Sequence, residues 1–274
     1  MTRPIDRARP RARWLLAAAL LGAALAASGC GSASSDSATS PTDDAIERLA
    51  GRYAHYDVVA YDGDDMKTLI ISYGFTDLDE VDGELVAHDT FCFSEHRSDQ
   101  PIKVEMPDAA TQAIRPVPIA VKVTVEDGRA HLFRPETPTG IGVDLENPGE
   151  DPLPTDPNDP RVADDDGDGK PGVTARVVVS PELQGEIYLA RREIFAYDVD
   201  EQRDGSLTGV VKDGSEQLVV GASNPAFLTQ AQWVQHPDLA KSPIILLPVK
   251  RSWDCERLRA ERDALFPPTP EVDW

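Results

Sequence analysis

Asp-Gly pairs punctuate this chain at Asp62-Gly63, Asp82-Gly83, Asp127-Gly128, Asp204-Gly205 and Asp213-Gly214, and apolar runs flank most of these. Asp-Gly supplies the positive φ angles that a tight hairpin turn demands. The runs themselves alternate. Ile119 to Val125 sets Val121, Val123 and Val125 against Lys122 and Thr124, and Ala130 to Phe133 returns across Asp127-Gly128. Val173, Ala175, Val177 and Val179 share one face of another run. Period-two alternation with one wet face is the pattern of antiparallel sheets. Further strands are expected at Val58 to Tyr61, Leu69 to Phe75, Leu85 to Phe93, Ile187 to Val199, Leu207 to Val211, Leu218 to Val220 and Ile244 to Pro248. The expected fold is mainly β, an antiparallel sandwich or barrel of about ten strands. The 23 prolines of the 274-residue chain favour turns over long helices.

Three short helices interrupt the pattern. One is expected from Thr42 to about Arg52, capped by Thr42 or Asp43, with Ile46, Leu49 and Tyr53 recurring along it. A second runs from Asp108 to Arg115 and is stopped by Pro116. The third runs from Ser252, its N-cap, to Leu265, placing Cys255, Leu258 and Leu265 on one face. This C-terminal helix is expected to dock on the sheet through Cys255.

The N-terminus carries a different kind of information. Arg3, Arg7, Arg9, Arg11 and Arg13 precede an apolar stretch from Trp14 to Ala27, closed by Ser28-Gly29-Cys30. Fourteen apolar residues fall short of the ~20 that span a bilayer as a helix, so the segment reads as a signal peptide. Leu25-Ala26-Ala27-Ser28-Gly29-Cys30 resembles the lipobox of bacterial lipoproteins, with Ala27 where those families favour leucine. The resemblance covers these thirty residues and implies that Cys30 is acylated and becomes the new N-terminus. At ~0.8 kcal/mol per buried methylene, three acyl chains (palmitate or similar) anchor a protein to a membrane almost permanently. Gly31, where an aspartate would favour inner-membrane retention in some Gram-negative bacteria, points to the outer membrane. The expected organisation is therefore a signal peptide at 1–29, a lipidated Ser-rich tether at 30–41 and one β-rich domain at 42–274.

Removing residues 1–29, with five arginines and one aspartate, takes the formal charge from −21 to −25. So acidic a chain is repelled by nucleic acid and suits divalent cations. With Cys30 lipidated, Cys92 and Cys255 form an even pair in an oxidising compartment. A disulfide between them is the economical reading, two buried free thiols the alternative.

An acidic, proline-rich loop is expected at 144–172, where Pro148, Pro152, Pro154, Pro157 and Pro160 forbid helix and discourage sheet. It ends in Asp164-Asp165-Asp166-Gly167-Asp168-Gly169-Lys170. Alternate aspartates at Asp164, Asp166 and Asp168 let three carboxylates converge on one hard cation, with the Lys170 backbone carbonyl as a fourth oxygen. The spacing resembles the calcium loops of the EF-hand, dockerin and thrombospondin type 3 families. It departs from an EF-hand at Ala175, where the bidentate glutamate would stand, so millimolar-range calcium affinity and a structural role are expected. Asp156, Asp159 and Asp165 are candidate further ligands. A solvated acidic turn that binds nothing is the alternative.

The five histidines, His55, His88, His96, His131 and His236, show no zinc spacing and read as surface or strand residues. Gly221 to Pro225 has the outline of a nucleophile elbow but puts Pro225 in place of the second glycine, and reads as a turn. No catalytic residues are assigned. Three functions remain: a lipid-anchored envelope protein with a non-enzymatic binding or structural role, a lipocalin-like carrier of a small apolar ligand, and a secreted hydrolase acting through dispersed carboxylates. Gly51-x-Tyr53 resembles the Gly-x-Trp start of lipocalins. A filled core excludes the carrier; a closed barrel with an apolar cavity favours it.

Overall fold

The computed structural model describes residues 40–63, 65–230 and 232–274. In chain order the elements are α1 (Pro41–Leu49), β1 (Gly51–Gly63), β2 (Lys67–Val81), β3 (Glu84–Ser98), β4 (Lys103–Glu105), α2 (Asp108–Gln112), β5 (Ile119–Glu126) and β6 (Arg129–Arg134). There follow β7 (Thr139–Ile141), β8 (Val173–Val178), β9 (Gln184–Glu193), β10 (Phe195–Glu201), β11 (Leu207–Asp213), β12 (Glu216–Ala222), β13 (Trp233–Gln235), β14 (Pro243–Val249) and α3 (Cys255–Leu265).

Eight strands close an antiparallel barrel in the order β1-β14-β11-β10-β6-β5-β3-β2, with β2 pairing back to β1. Short β13 adds to the far end of β1 at Tyr61–Gly63. A second sheet runs β12-β9-β8-β4, with β7 also on β9. Barrel therefore replaces the open choice between barrel and sandwich, and fourteen strands replace about ten. The difference comes from short pairings such as β4, β7 and β13, three residues each, too brief to show a period. Ile187 to Val199 is two strands rather than one, because the chain passes from the second sheet to the barrel at Ile194.

The hairpin signal holds best where both central residues take positive φ. Asp82 and Gly83 have φ of 54° and 84°, Asp127 and Gly128 49° and 76°, and each pair makes a two-residue loop between paired strand ends. Asp204-Gly205 turns within a longer loop with only Gly205 at positive φ. The other two pairs are not hairpin turns. Asp62 and Gly63 still belong to β1, and Asp213 ends β11 where the chain leaves the barrel for the second sheet.

β1 is buried on both faces from Tyr53 to Ala60. Tyr53, Val59 and Tyr61 join Leu78, Leu85, Leu132, Val199 and Leu246 in the barrel core. The intervening Ala54, Tyr56, Val58 and Ala60 pack outward with Ile71, Tyr73, Phe75 and Phe93 beneath Leu258 of α3 and Phe266. One end of the barrel is plugged by Ala45, Ile46 and Leu49 of α1. That helix starts one residue earlier than expected and stops before Arg52: Ser40 and Asp43 form a reciprocal capping box, and Pro41 takes the first turn. α2 ends at Gln112. The N-cap of α3 is Asp254, not Ser252, its carboxylate accepting the Arg257 N–H at 2.9 Å.

Cys92 and Cys255 are disulfide-bonded, with Cα atoms 5.3 Å apart. Cys92 is the extra residue of a β-bulge, between the pairs Tyr73↔Phe93 and Gly74↔Phe91. The bulge breaks the strand's alternation there and packs Cys92 in the outer cluster beneath α3. Gly74 permits it, since a Cβ there would stand 2.1 Å from the Thr90 carbonyl oxygen.

Candidate functional site

At the barrel end opposite α1, the second sheet lies over the mouth and leaves a cavity of about 230 Å³. Its far wall is the face formed by Val173, Ala175 and Val177 of β8, with Ile187 and Leu189 of β9 and Val219 of β12. Ile70 and Ser72 of β2 and Ser94 and His96 of β3 form the near wall, where the register pairs Ser72 with Ser94 and Ile70 with His96. Trp233 and Phe227 stand at its side.

The polar groups of this cavity gather at the barrel mouth. Arg191 donates to Glu193 at 2.5 Å and to Gln217 at 3.0 Å. Burial works against the Arg191 charge, but Glu193, Tyr61 and Asp213 together outweigh it and the guanidinium is held more firmly protonated than usual. The Ser94 and Thr111 hydroxyls bond one another at 3.1 Å. His96 differs from these: both ring nitrogens are closed off and neither has a hydrogen-bond partner among the described residues. Burial, aided by the Arg191 charge, pushes its pKa down to about 4, so the ring is neutral at physiological pH. Strand parity, which places Ser94 and His96 on one face, is the one sequence signal that points to this position.

Inside the barrel the inward positions of β1 continue through His55 and Asp57, which are 2% and 6% exposed. His55 Nε2 meets Asp57 Oδ2 at 2.9 Å, and His55 Nδ1 meets the Thr76 hydroxyl at 2.9 Å. Thr76 spends its single proton on Asp89 at 2.6 Å, so His55 Nδ1 must be the donor to Thr76. The remaining nitrogen and Asp57 then hold one proton between them, and burial raises the Asp57 pKa accordingly. Asp89 also accepts from Arg134 Nε at 2.9 Å. Arg134 is fully buried, donates to the carbonyls of Pro135 and Phe195 at 2.8 Å each, and lies 4.1 Å above the Phe195 ring. The hydroxyl, imidazole and carboxylate here have the order of a catalytic triad, but the hydroxyl proton is already engaged and the group sits in the core. A void of about 30 Å³ touches His55 and Asp57, room for roughly one water.

The aspartate loop folds as a cluster. Oxygens of Asp164, Asp166 and Asp168 lie within 4.8 Å of one another. Asp164 accepts the N–H groups of Asp168 and Gly169, at 3.0 and 2.9 Å, while Gly167 and Gly169 take φ of 73° and 83°. Asp166 Oδ2 accepts the Thr174 N–H at 2.8 Å and Asp168 the Thr174 hydroxyl at 2.7 Å, which ties the loop to the start of β8. Asp166 Oδ1 is buried with no partner, and burial raises the Asp166 pKa. The three carboxylates could together hold a cation, to which this oxygen would be open. The Lys170 side chain pairs with Glu186 at 2.7 Å and with Asp168 at 3.3 Å. The suggested extra ligands have other partners: Asp165 accepts from Gly142 N–H, Asp156 from Asn158, and Asp159 from Arg161, which lowers the Asp159 pKa to about 2.

Cys30, the expected signal peptide and most of the expected tether lie outside the described residues. Among those described, no helix is long and apolar enough to cross a membrane. No family model, curated protein or solved structure matches the chain.

Proposed function

We propose that this chain is a lipid-anchored cell-envelope protein that binds a small, mainly apolar ligand. The observation that carries the reading is the apolar cavity of about 230 Å³ between the barrel mouth and the second sheet. It differs from a lipocalin-like carrier in one respect: the barrel interior is filled by side chains, Arg134 among them, so the ligand lies at the mouth. A cavity of roughly 150 Å³ lined by aliphatic residues is enough to hold benzene. The small neutral apolar dye azulene should therefore be retained by the protein in equilibrium dialysis, read by its visible absorbance, and Ala175→Phe or Val219→Trp, each projecting into the cavity, should weaken its binding at least tenfold. No dye binding, or equal binding by folded variants, removes the reading.

The membrane is reached through lipid on Cys30, on the outer membrane by the Gly31 rule, and the charge of −25 speaks against a nucleic-acid partner. Whole protein should enter the detergent phase on phase partitioning, and Cys30→Ser should stay in the aqueous phase. Partitioning unaffected by Cys30→Ser contradicts lipidation.

Calcium at Asp164, Asp166 and Asp168 is a second reading, favoured by the orphaned Asp166 oxygen. The Lys170 carbonyl would add a fourth ligand. The cation would neutralise crowded carboxylates and brace the entry to β8, which forms one wall of the cavity. With a Kd of ~0.1–1 mM, 10 mM calcium stabilises by about 1.4–2.7 kcal/mol. Melting curves should shift upward in calcium and not in Asp166→Ala. Coincident curves in calcium and in chelator rule the site out.

A further inference from the structure

The binding pocket's polar end restricts the head group of its ligand. Ser72 lies on both cavities. His96 stands on the neighbouring strand with two unpartnered nitrogens. Arg191 and Glu193 face the same region from β9, engaged with one another, with Gln217 beside them. Asp213 lies close behind, accepting from Tyr61 at 2.9 Å and Ser215 at 2.6 Å.

We infer that this pocket, if it binds ligand as proposed above, selects an uncharged hydrogen-bonding head on an aliphatic body, the chemistry of a medium-chain alcohol, over the matching carboxylate or amine. A carboxylate head would enter beside Glu193 with the one nearby cation already committed. An ammonium head would enter beside Arg191, with Glu193 already paired and the Asp213 pKa raised by burial and by Glu193. Either loses its hydration without a free counter-charge, the costliest form of burial. A hydroxyl both donates and accepts, as do Ser72 and a neutral imidazole, which has one donor and one acceptor nitrogen. Imidazole χ2 is broad and roughly two-fold, so a half-turn exchanges the places of nitrogen and carbon with little rotamer cost. The head group thereby fixes a ring that the protein leaves unanchored. Scaled from the roughly 150 Å³ that holds benzene, about 230 Å³ accommodates around nine non-hydrogen atoms, the size of 1-octanol.

The test displaces azulene from the whole protein with four eight-carbon compounds below their aggregation concentrations: 1-octanol, 1-chlorooctane, octanoate and octylamine. A merely greasy pocket ranks 1-chlorooctane first. The inference expects 1-octanol to displace dye at a concentration at least threefold below 1-chlorooctane and tenfold below the two charged compounds. In His96→Phe with Ser72→Ala, 1-chlorooctane should displace dye ahead of 1-octanol, the two being compared as a ratio within the variant so that any change in its dye affinity cancels. Any other compound equalling 1-octanol, or an alcohol preference surviving in the double variant, overturns the inference and leaves ligand binding standing. If the dye itself does not bind, both fall.

Discussion

Loss of the Cys92–Cys255 bridge is expected to destabilise the protein by about 2–5 kcal/mol, at the upper end because the bond spans 163 residues. In the chain-entropy account a closed loop of that length removes much of the freedom of the unfolded chain. The local structure adds to this. α3 holds the outer face of β1, β2 and β3 through Leu258, and Cys255 fastens its first turn to the bulge at Cys92. Arg262 pairs with Glu95, and Arg259 lies 3.9 Å above the Phe93 ring, but these contacts sit at the surface and are worth little alone. For a domain of this size, Cys92→Ala with Cys255→Ala should lower the melting temperature by ~5–15 °C. Thermal melts of the variant, and of wild type with and without reductant, measure it. Superimposable melts would show that α3 docks equally well without the bond.

The second large effect is expected at Arg134 and Asp89, an ion pair at 2.9 Å with both side chains essentially fully buried. Removing one partner strands the other, which costs about 3–5 kcal/mol. Asp89→Leu and Arg134→Leu should each show a loss of that order in urea unfolding. The paired replacement Asp89→Leu with Arg134→Leu should lose less than the sum of the singles, since no charge is left unmatched. It will not be silent, because Thr76 and the carbonyls of Pro135 and Phe195 also lose partners. Additive losses would mean that each group is held by its other contacts rather than by the pair.

Particular residues show how far sequence reasoning reached. The alternation of Val173, Ala175 and Val177 identified a buried face, and that face lines the cavity. The hairpins at Asp82-Gly83 and Asp127-Gly128 were legible because their geometry depends on two adjacent residues. The α3 cap was misplaced by two residues because Ser252 and Asp254 are both good caps and only packing chooses between them. Barrel closure was not legible: β1 pairs with β2 beside it and with β14 nearly two hundred residues on, and no local pattern encodes the distant partner. Nor was the polar interior, because His55, Asp57 and Arg134 occupy inward positions where alternation alone expects apolar side chains. Extending strand parity past them, through Tyr53, Val59 and Tyr61 in β1 and through Ala130 and Leu132 in β6, would have flagged them as buried charges needing partners.

The barrel's seam joins its first strand to its last, with Asp57 set against Ile244. Until the residues of β14 have been made, β1 has a bare edge along Arg52–Asp57 and the cylinder stands open as a curled sheet. Such long-range closure is slow, since the entropy of bringing distant segments together is lost before the contacts repay it. A chain stopped short of Pro243 would keep its hairpins and expose a sticky strand. Residues 243–265 supply the seam, the half-cystine and the helix over the outer face, so the cylinder cannot close until this segment has been made.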